Sequence, residues 1–179
     1  MINPARQNAE DMDVLAPEVR QRRASDPSLS AWVNASAGSG KTTVLTNRVT
    51  RLLLDGVSPQ RILCLTYTRA AAAEMSNRIT DKLSFWATCT DAELGEDIHK
   101  LQNTQVDPKQ MIEARRLFAR VLACPGGMRI RTIHAFCQEI LRRFPLEAGL
   151  PPHFAVIEEN DAQALQDDVR DDLLRRAVA

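Results

Sequence analysis

The stretch "NASAGSGKTTVL" at residues 34–45 carries residue types able to hold the phosphates of a nucleotide. A phosphate-binding loop reads G-x-x-x-x-G-K-[ST], entered from a strand and left into a helix. Gly40, Lys41 and Thr42 fit this frame, and Ala35 stands at the first glycine position. That residue only begins the turn, so alanine is a mild departure. Gly38 and Gly40 fall where the backbone must come close to the phosphates with its N–H groups turned inward. On this reading Ala35, Ser36, Ala37, Gly38, Ser39, Gly40, Lys41, Thr42 and Thr43 form the ATP cradle. Lys41 meets the β- and γ-phosphates and the Thr42 hydroxyl ligates Mg²⁺, so these two carry the catalytic role and Thr42 the metal. The plain alternative is a Gly/Ser-rich turn that happens to contain a lysine.

The loop needs an element on each side. "SAWVNA" at 30–35 has the apolar, β-capable character of a short buried strand. "TTVLTNRVTRLLLDG" at 42–56 spaces Val44, Leu45, Val49, Leu52 and Leu53 as a helix does, with Gly56 as its stop. A helix starting at Lys41-Thr42 aims its positive dipole end and its unpaired N–H groups at an anion.

The rest of the chain bounds what that loop serves. Its 179 residues suffice for one domain with a sizeable core, or for part of a larger one. The 23 basic and 23 acidic residues cancel, so net charge gives no nucleic-acid signal. Locally, residues 128–144 hold Arg129, Arg131, Arg142 and Arg143 against Glu139 alone, and the chain turns acidic beyond Ile157. Such an acidic run is ordinarily a solvated helix face, and Asp171–Arg175 and Asp172–Arg176 have the four-residue spacing of one. Cys64, Cys89, Cys124 and Cys137 are far apart, with no C-x-x-C, which favours buried or half-buried free thiols over a metal site. No apolar signal core opens the chain and no stretch could span a bilayer, so a cytoplasmic protein without membrane contact is expected.

Along the chain, helical and strand patterns alternate. Helices are expected over about 13–24, 42–55, 69–87, 108–123 and 133–144, with another at the end. Strands are expected at 30–35, at "RILCLTYT" (61–68), at "RIRT" (129–132) and at "HFAVI" (153–157). Residues 89–107 read as an ambiguous, partly helical insertion. Alternation of this kind predicts an α/β fold, a parallel sheet with flanking helices around a P-loop.

Two further segments narrow the class. "LTYTRAAAAEMSNRI" (65–79) resembles motif Ia of the UvrD/Rep-type superfamily I helicases, close to T-F-T-x-x-A-A-x-E-M-x-x-R-I. "IRTIHAFCQEILRRFPLEAGLPPHF" (130–154) resembles the T-x-H-x-F/L motif that follows it. With "ARRLFARVLACPGGMRI" (114–130), these stretches are most similar to the AddA family, the RecB-related helicase–nuclease subunits of AddAB double-strand-break repair complexes. The resemblance runs through nearly the whole chain, in order.

That resemblance implies a RecA-like ATP-binding domain over 1–157, with a helical insertion near 88–124 and the start of a helical subdomain at 158–179. It further implies ATP-driven 3′-5′ translocation on single-stranded DNA, action at duplex ends, and an AddB-like partner subunit. Tyr67 matches the aromatic that contacts a DNA base, a contact that tolerates any sequence; an ordinary core aromatic is the bland reading. Thr66, Thr68, Thr132 and His134 match polar positions near the DNA backbone. Gln21, about twenty residues before Lys41, stands where the family places its adenine-reading glutamine. A carboxamide offers adenine both a donor and an acceptor, and a glutamine on a surface helix is the alternative. Glu74, though family-typical, reads as structural.

"FAVIEEND" (154–161) imitates a Walker B strand, but its first acid is Glu158 where an aspartate is the rule, and the resemblance puts a helical insertion there. Residues 1–179 then hold no D-E-x-x pair, arginine finger, second motor domain or nuclease carboxylates. The expectation is a fragment or truncated product with an incomplete sheet, inactive by itself. A non-catalytic nucleotide- and DNA-binding remnant, or another UvrD/RecB-type helicase, stays open.

Overall fold

The computed structural model describes residues 16–178 apart from 35, 37, 39 and 158. Two compact units divide the chain, Met1–His134 and Ala135–Ala179.

In the first unit α1 (Pro17–Ala24) is a short helix with proline in its first turn, where the missing N–H costs nothing. The expected helix began at 13, and residues 13–15 lie outside the described part. Helix α2 (Lys41–Leu54) leaves the phosphate loop and buries Val44, Val49, Leu53 and Leu54. After a 3₁₀ turn at Pro59–Arg61 comes β1 (Leu63–Thr66). Helix α3 (Arg69–Thr88) is capped by Thr68, whose Oγ1 accepts from the Ala71 N–H. Its buried residues Met75, Ile79, Leu83 and Trp86 recur every three to four positions and form one stripe.

Helix α4 (Asp91–Gln102) lies inside the segment that the sequence left ambiguous. A reciprocal capping box starts it, with Thr90 and Glu93 each bonded to the other's backbone, and Asn103 in the left-handed region (φ 57°) ends it. Helix α5 (Pro108–Leu122) follows, then β2 (Arg129–Thr132). One core unites α2 to α5, with Leu53, Ile79, Leu83, Trp86, Leu94, Ile98 and Leu117 essentially fully buried.

The sheet has two parallel strands, β1 and β2, in register from Leu63 opposite Arg129 to Thr66 opposite Thr132. Alternation puts Cys64 and Ile130 toward the helical core, against which both pack. Leu63 and Leu65 point the other way and stay 41% and 44% exposed. Parallel sheets are ordinarily covered on both faces; among the described residues this one is more fully covered on the helical side.

Two expected strands do not form. Residues 30–34 have no regular structure and Trp32 is 95% exposed, so the approach to the loop is not the buried strand predicted. A strand exists only through its ladder partner, and among the described residues β1 and β2 pair only with each other. For the same reason residues 154–157 of "HFAVI" carry no strand.

Helix α6 (Ile133–Arg143) crosses the boundary between the units. The second unit continues through turns at 144–149 into α7 (Glu159–Val178), whose described side chains are nearly all exposed. Asp172 pairs with Arg176 at 2.7 Å as its spacing foretold, whereas Asp171 lies 3.9 Å from Arg170. Cys64, Cys89 and Cys124 are half-buried free thiols, and Cys137, expected to be covered, is exposed.

Candidate nucleotide and nucleic-acid sites

The phosphate-loop residues sit at the start of α2. Gly38 and Gly40 both have positive φ, 80° and 86°, a conformation in which a Cβ is strained. Gly40 is the N-cap residue of α2 and brings no side chain to cap it. That turn also contains no acid and begins with Lys41. A helix N-terminus favours negative charge, and this acid-free turn leaves that preference to an incoming anion. The donor set fits a phosphate chain with Mg²⁺.

Lys41 is exposed, and its Nζ donates to the Ser36 carbonyl at 2.7 Å, folding the side chain back over the loop. Thr42 is half-buried one residue further on and Thr43 is exposed. Ala35, Ala37 and Ser39, which the sequence also assigned to the cradle, lie outside the described residues, as does Glu158. A cavity of about 470 Å³ adjoins the loop between Ser30, Ala31 and Val33 on one side and Lys41, Val44, Leu45 and Arg48 on the other.

Gln21, distant in sequence, comes to the loop. Its Nε2 lies 3.1 Å from where a Cβ on Gly40 would stand, so a side chain at position 40 would press on the Gln21 amide. Two arginines that sequence reading passed over fasten the segment after Gln21. Arg48 donates to the carbonyls of Asp26 and Leu29 (2.5 and 2.6 Å) and, more distantly, of Ala24. Arg51 donates to the Arg22 carbonyl at 3.1 Å and pairs with Asp26 at 3.2 Å. The only sequence signal was their spacing of three, which puts both on one face of α2.

The second group gathers at the C-terminal ends of the two strands. Thr66 and Thr132 are register partners. The Thr66 hydroxyl donates to the Thr68 carbonyl at 3.0 Å, with the Arg131 carbonyl 3.4 Å away. Thr68 is committed to capping α3. Tyr67 is 79% exposed, and its ring meets that of His134, also exposed, edge to face at 6.4 Å. Glu74 pairs with Arg78 one turn along α3 at 2.6 Å, the structural use expected of it.

A nucleic acid at this edge would meet an open aromatic, an imidazole and hydroxyls in one place. The C-terminal edge of a parallel sheet is where ligands of open α/β folds bind. Burial raises the pKa of Cys64, on the covered face of β1, above that of an ordinary thiol.

The family model of the UvrD/REP helicase N-terminal domain matches residues 15–177. Curated relatives that match are the A subunits of ATP-dependent helicase/nucleases from several bacteria. The chain is 39% identical over 148 residues to the one from Enterococcus faecalis, covering 82% of this chain and 10% of that protein. It is 36% identical over 147 residues to the one from Desulforamulus reducens, covering 80% and 10%. Against that of Ligilactobacillus salivarius it is 33% identical over 155 residues, covering 86% and 11%. The chain thus spans about a tenth of the length of the curated relatives it matches.

Proposed function

The chain belongs to the UvrD/REP helicase N-terminal domain family, and from that premise we propose that it is the ATP-binding first part of an AddA-like helicase–nuclease. The observation that carries the reading is the phosphate loop itself. Two positive-φ glycines and an acid-free helix start stand together at the G-K-T of the loop, and this supports a nucleotide site there.

In this reading Lys41 swings from the Ser36 carbonyl to the β- and γ-phosphates, and the first-turn N–H groups of α2 take the remaining charge. The Thr42 hydroxyl holds Mg²⁺, whose chemistry is to neutralise charge on the phosphoryl group in transfer. Gln21 reads the adenine edge. Tyr67 stacks on a base of single-stranded DNA while Thr66, Thr68, Thr132 and His134 lie along its backbone.

Translocation in the 3′-5′ direction, work at duplex ends in double-strand-break repair and recombination, an AddB-like partner and a cytoplasmic setting complete the proposal. Among the described residues no helix is long and apolar enough to cross a membrane. We assign α4 and α5 to a helical insertion and α7 to the start of a further helical subdomain.

The test is DNA-stimulated ATP turnover in a protein that joins this domain to the rest of its motor. Turnover is expected to need both single-stranded DNA and Lys41. DNA-independent turnover, or turnover that survives Lys41→Ala, would overturn the reading.

A further inference from the structure

We infer that Arg48, supported by Arg51, is a positioning residue that holds Gln21 at the nucleotide site. The inference rests on the reading of Gln21 as the base-recognising group. Helix α1, which carries Gln21, has eight residues and buries none of them. Isolated helices below about 12–15 residues are marginal, so something else must fix it.

The last carbonyls of a helix have no partner within it. Here the Arg22 carbonyl accepts from Arg51 and from the hydroxyl of Ser25, which is buried. The Ala24, Asp26 and Leu29 carbonyls accept from the single guanidinium of Arg48. A planar fork can serve several carbonyls at once; a lysine ammonium on a flexible stem cannot hold the same set.

Both arginines stand on α2, whose first residue is Lys41. At 1.5 Å per residue, Arg48 is about 10 Å along the axis from the phosphate loop. One helix therefore begins the cradle with one end and, two turns on, anchors the segment that brings Gln21 onto Gly40. Arg48 itself does not touch the nucleotide in this scheme; it acts through Gln21.

The experiment compares equilibrium binding of Mg·ATP, Mg·GTP and inorganic tripolyphosphate to the chain, to Gln21→Ala, to Arg48→Met, to Arg48→Lys and to the Gln21→Ala/Arg48→Met double variant. The parent is expected to prefer ATP over GTP by about tenfold, the scale of one good base contact. Arg48→Met and Arg48→Lys should each erase that preference as Gln21→Ala does, and the double variant should lose nothing more. Tripolyphosphate, which has no base, should bind Arg48→Met as it binds the parent. Should Arg48→Met fail to fold, Arg48→Lys decides.

Loss of the preference in Gln21→Ala but not in the Arg48 variants would overturn the inference and leave the reading of Gln21 standing. Weakened tripolyphosphate binding in step with ATP would also overturn it, because Arg48 would then only stabilise the fold. A parent without any preference for ATP would overturn the Gln21 reading, and the inference with it.

Discussion

The rings of Tyr67 and His134 meet edge to face, with centroids 6.4 Å apart and planes inclined at 66°. They stand just past Thr66 and Thr132, the last paired residues of β1 and β2. At 79% exposure Tyr67 buries little of its ring, and the pairing itself is worth roughly 0.5–1.5 kcal/mol. A base is expected to take the open face. In a protein carrying the complete motor, Tyr67→Ala should weaken single-strand DNA binding by about 1–3 kcal/mol. The salt dependence should not change, because stacking releases no counterions. A shallower salt slope with low-salt affinity intact would assign Tyr67 to something other than stacking.

Lys41→Ala should abolish Mg·ATP binding and leave the fold unchanged. The ammonium is exposed and bonds the Ser36 carbonyl, so removing it deletes a point charge and little packing. Calorimetric titration with Mg·ATP, beside circular dichroism of both proteins, checks this. Equal ATP affinity in variant and parent would sink the phosphate role of the lysine.

Core and loop differ in how far they could be read from residues alone. The α3 stripe Met75, Ile79, Leu83, Trp86 was legible because helical periodicity is local, and "RILCLTYT" and "RIRT" because each is a compact β-capable run. Residues 30–34 have the same β character but no strand, since pairing depends on a neighbour and not on the segment. The "TDAE" at 90–93 is a capping box with a sequence signature of its own, and it starts α4. The resemblance alone pointed Gln21 toward the nucleotide; residue types and spacing did not show its approach to Gly40. It depends on arginine bonds to backbone carbonyls, and any residue offers a carbonyl.

Trp86 ties α3 to α4, fully buried, with its indole N–H donating to Asp97 and Lys82 paired to the same carboxylate at 3.1 Å. Trp86→Ala should cost about 3–5 kcal/mol by leaving a cavity. Trp86→Phe should cost less, keeping most of the packing while leaving Asp97 its Lys82 partner. Chemical denaturation of the three proteins gives the order, and equal losses in Ala and Phe would show that the hydrogen bond outweighs the packing.

Acid should loosen the segment that holds Gln21. The Asp26 carboxyl titrates below its ordinary value of 3.8, chiefly through hydrogen bonds from the Ser28 hydroxyl and N–H, then through Arg51. A carboxylate lowered in the folded state contributes its stability above the unfolded value, and that contribution fades as pH falls through the folded one. The loss therefore belongs below about pH 3.8. Thermal unfolding at pH 5 and pH 3 should show a larger drop for the parent than for Asp26→Asn, which has no proton to gain. Identical drops would mean Asp26 does not govern the acid limb.

Residues 1–179 assayed by themselves are expected to bind ATP but to turn it over barely, and not to separate DNA strands. On the proposed reading Lys41 and the loop position phosphates; hydrolysis also needs an acid to hold the metal and orient water, and a cation for the transition state. An arginine finger alone contributes about 10³–10⁵-fold in well-studied phosphoryl-transfer enzymes. This stretch of sequence contains no Asp-Glu pair, and its Walker-like run at 154–157 is not a strand. Leu63 and Leu65 also stay partly exposed on the outer face of β1, so low solubility is expected of the isolated stretch. The measurement is ATPase and strand-separation activity with and without single-stranded DNA, beside a Lys41→Ala control. Lys41-dependent turnover at ordinary enzyme rates, about 1–100 per second, would overturn this expectation and return Glu158 and Glu159 to the metal-binding role denied them here.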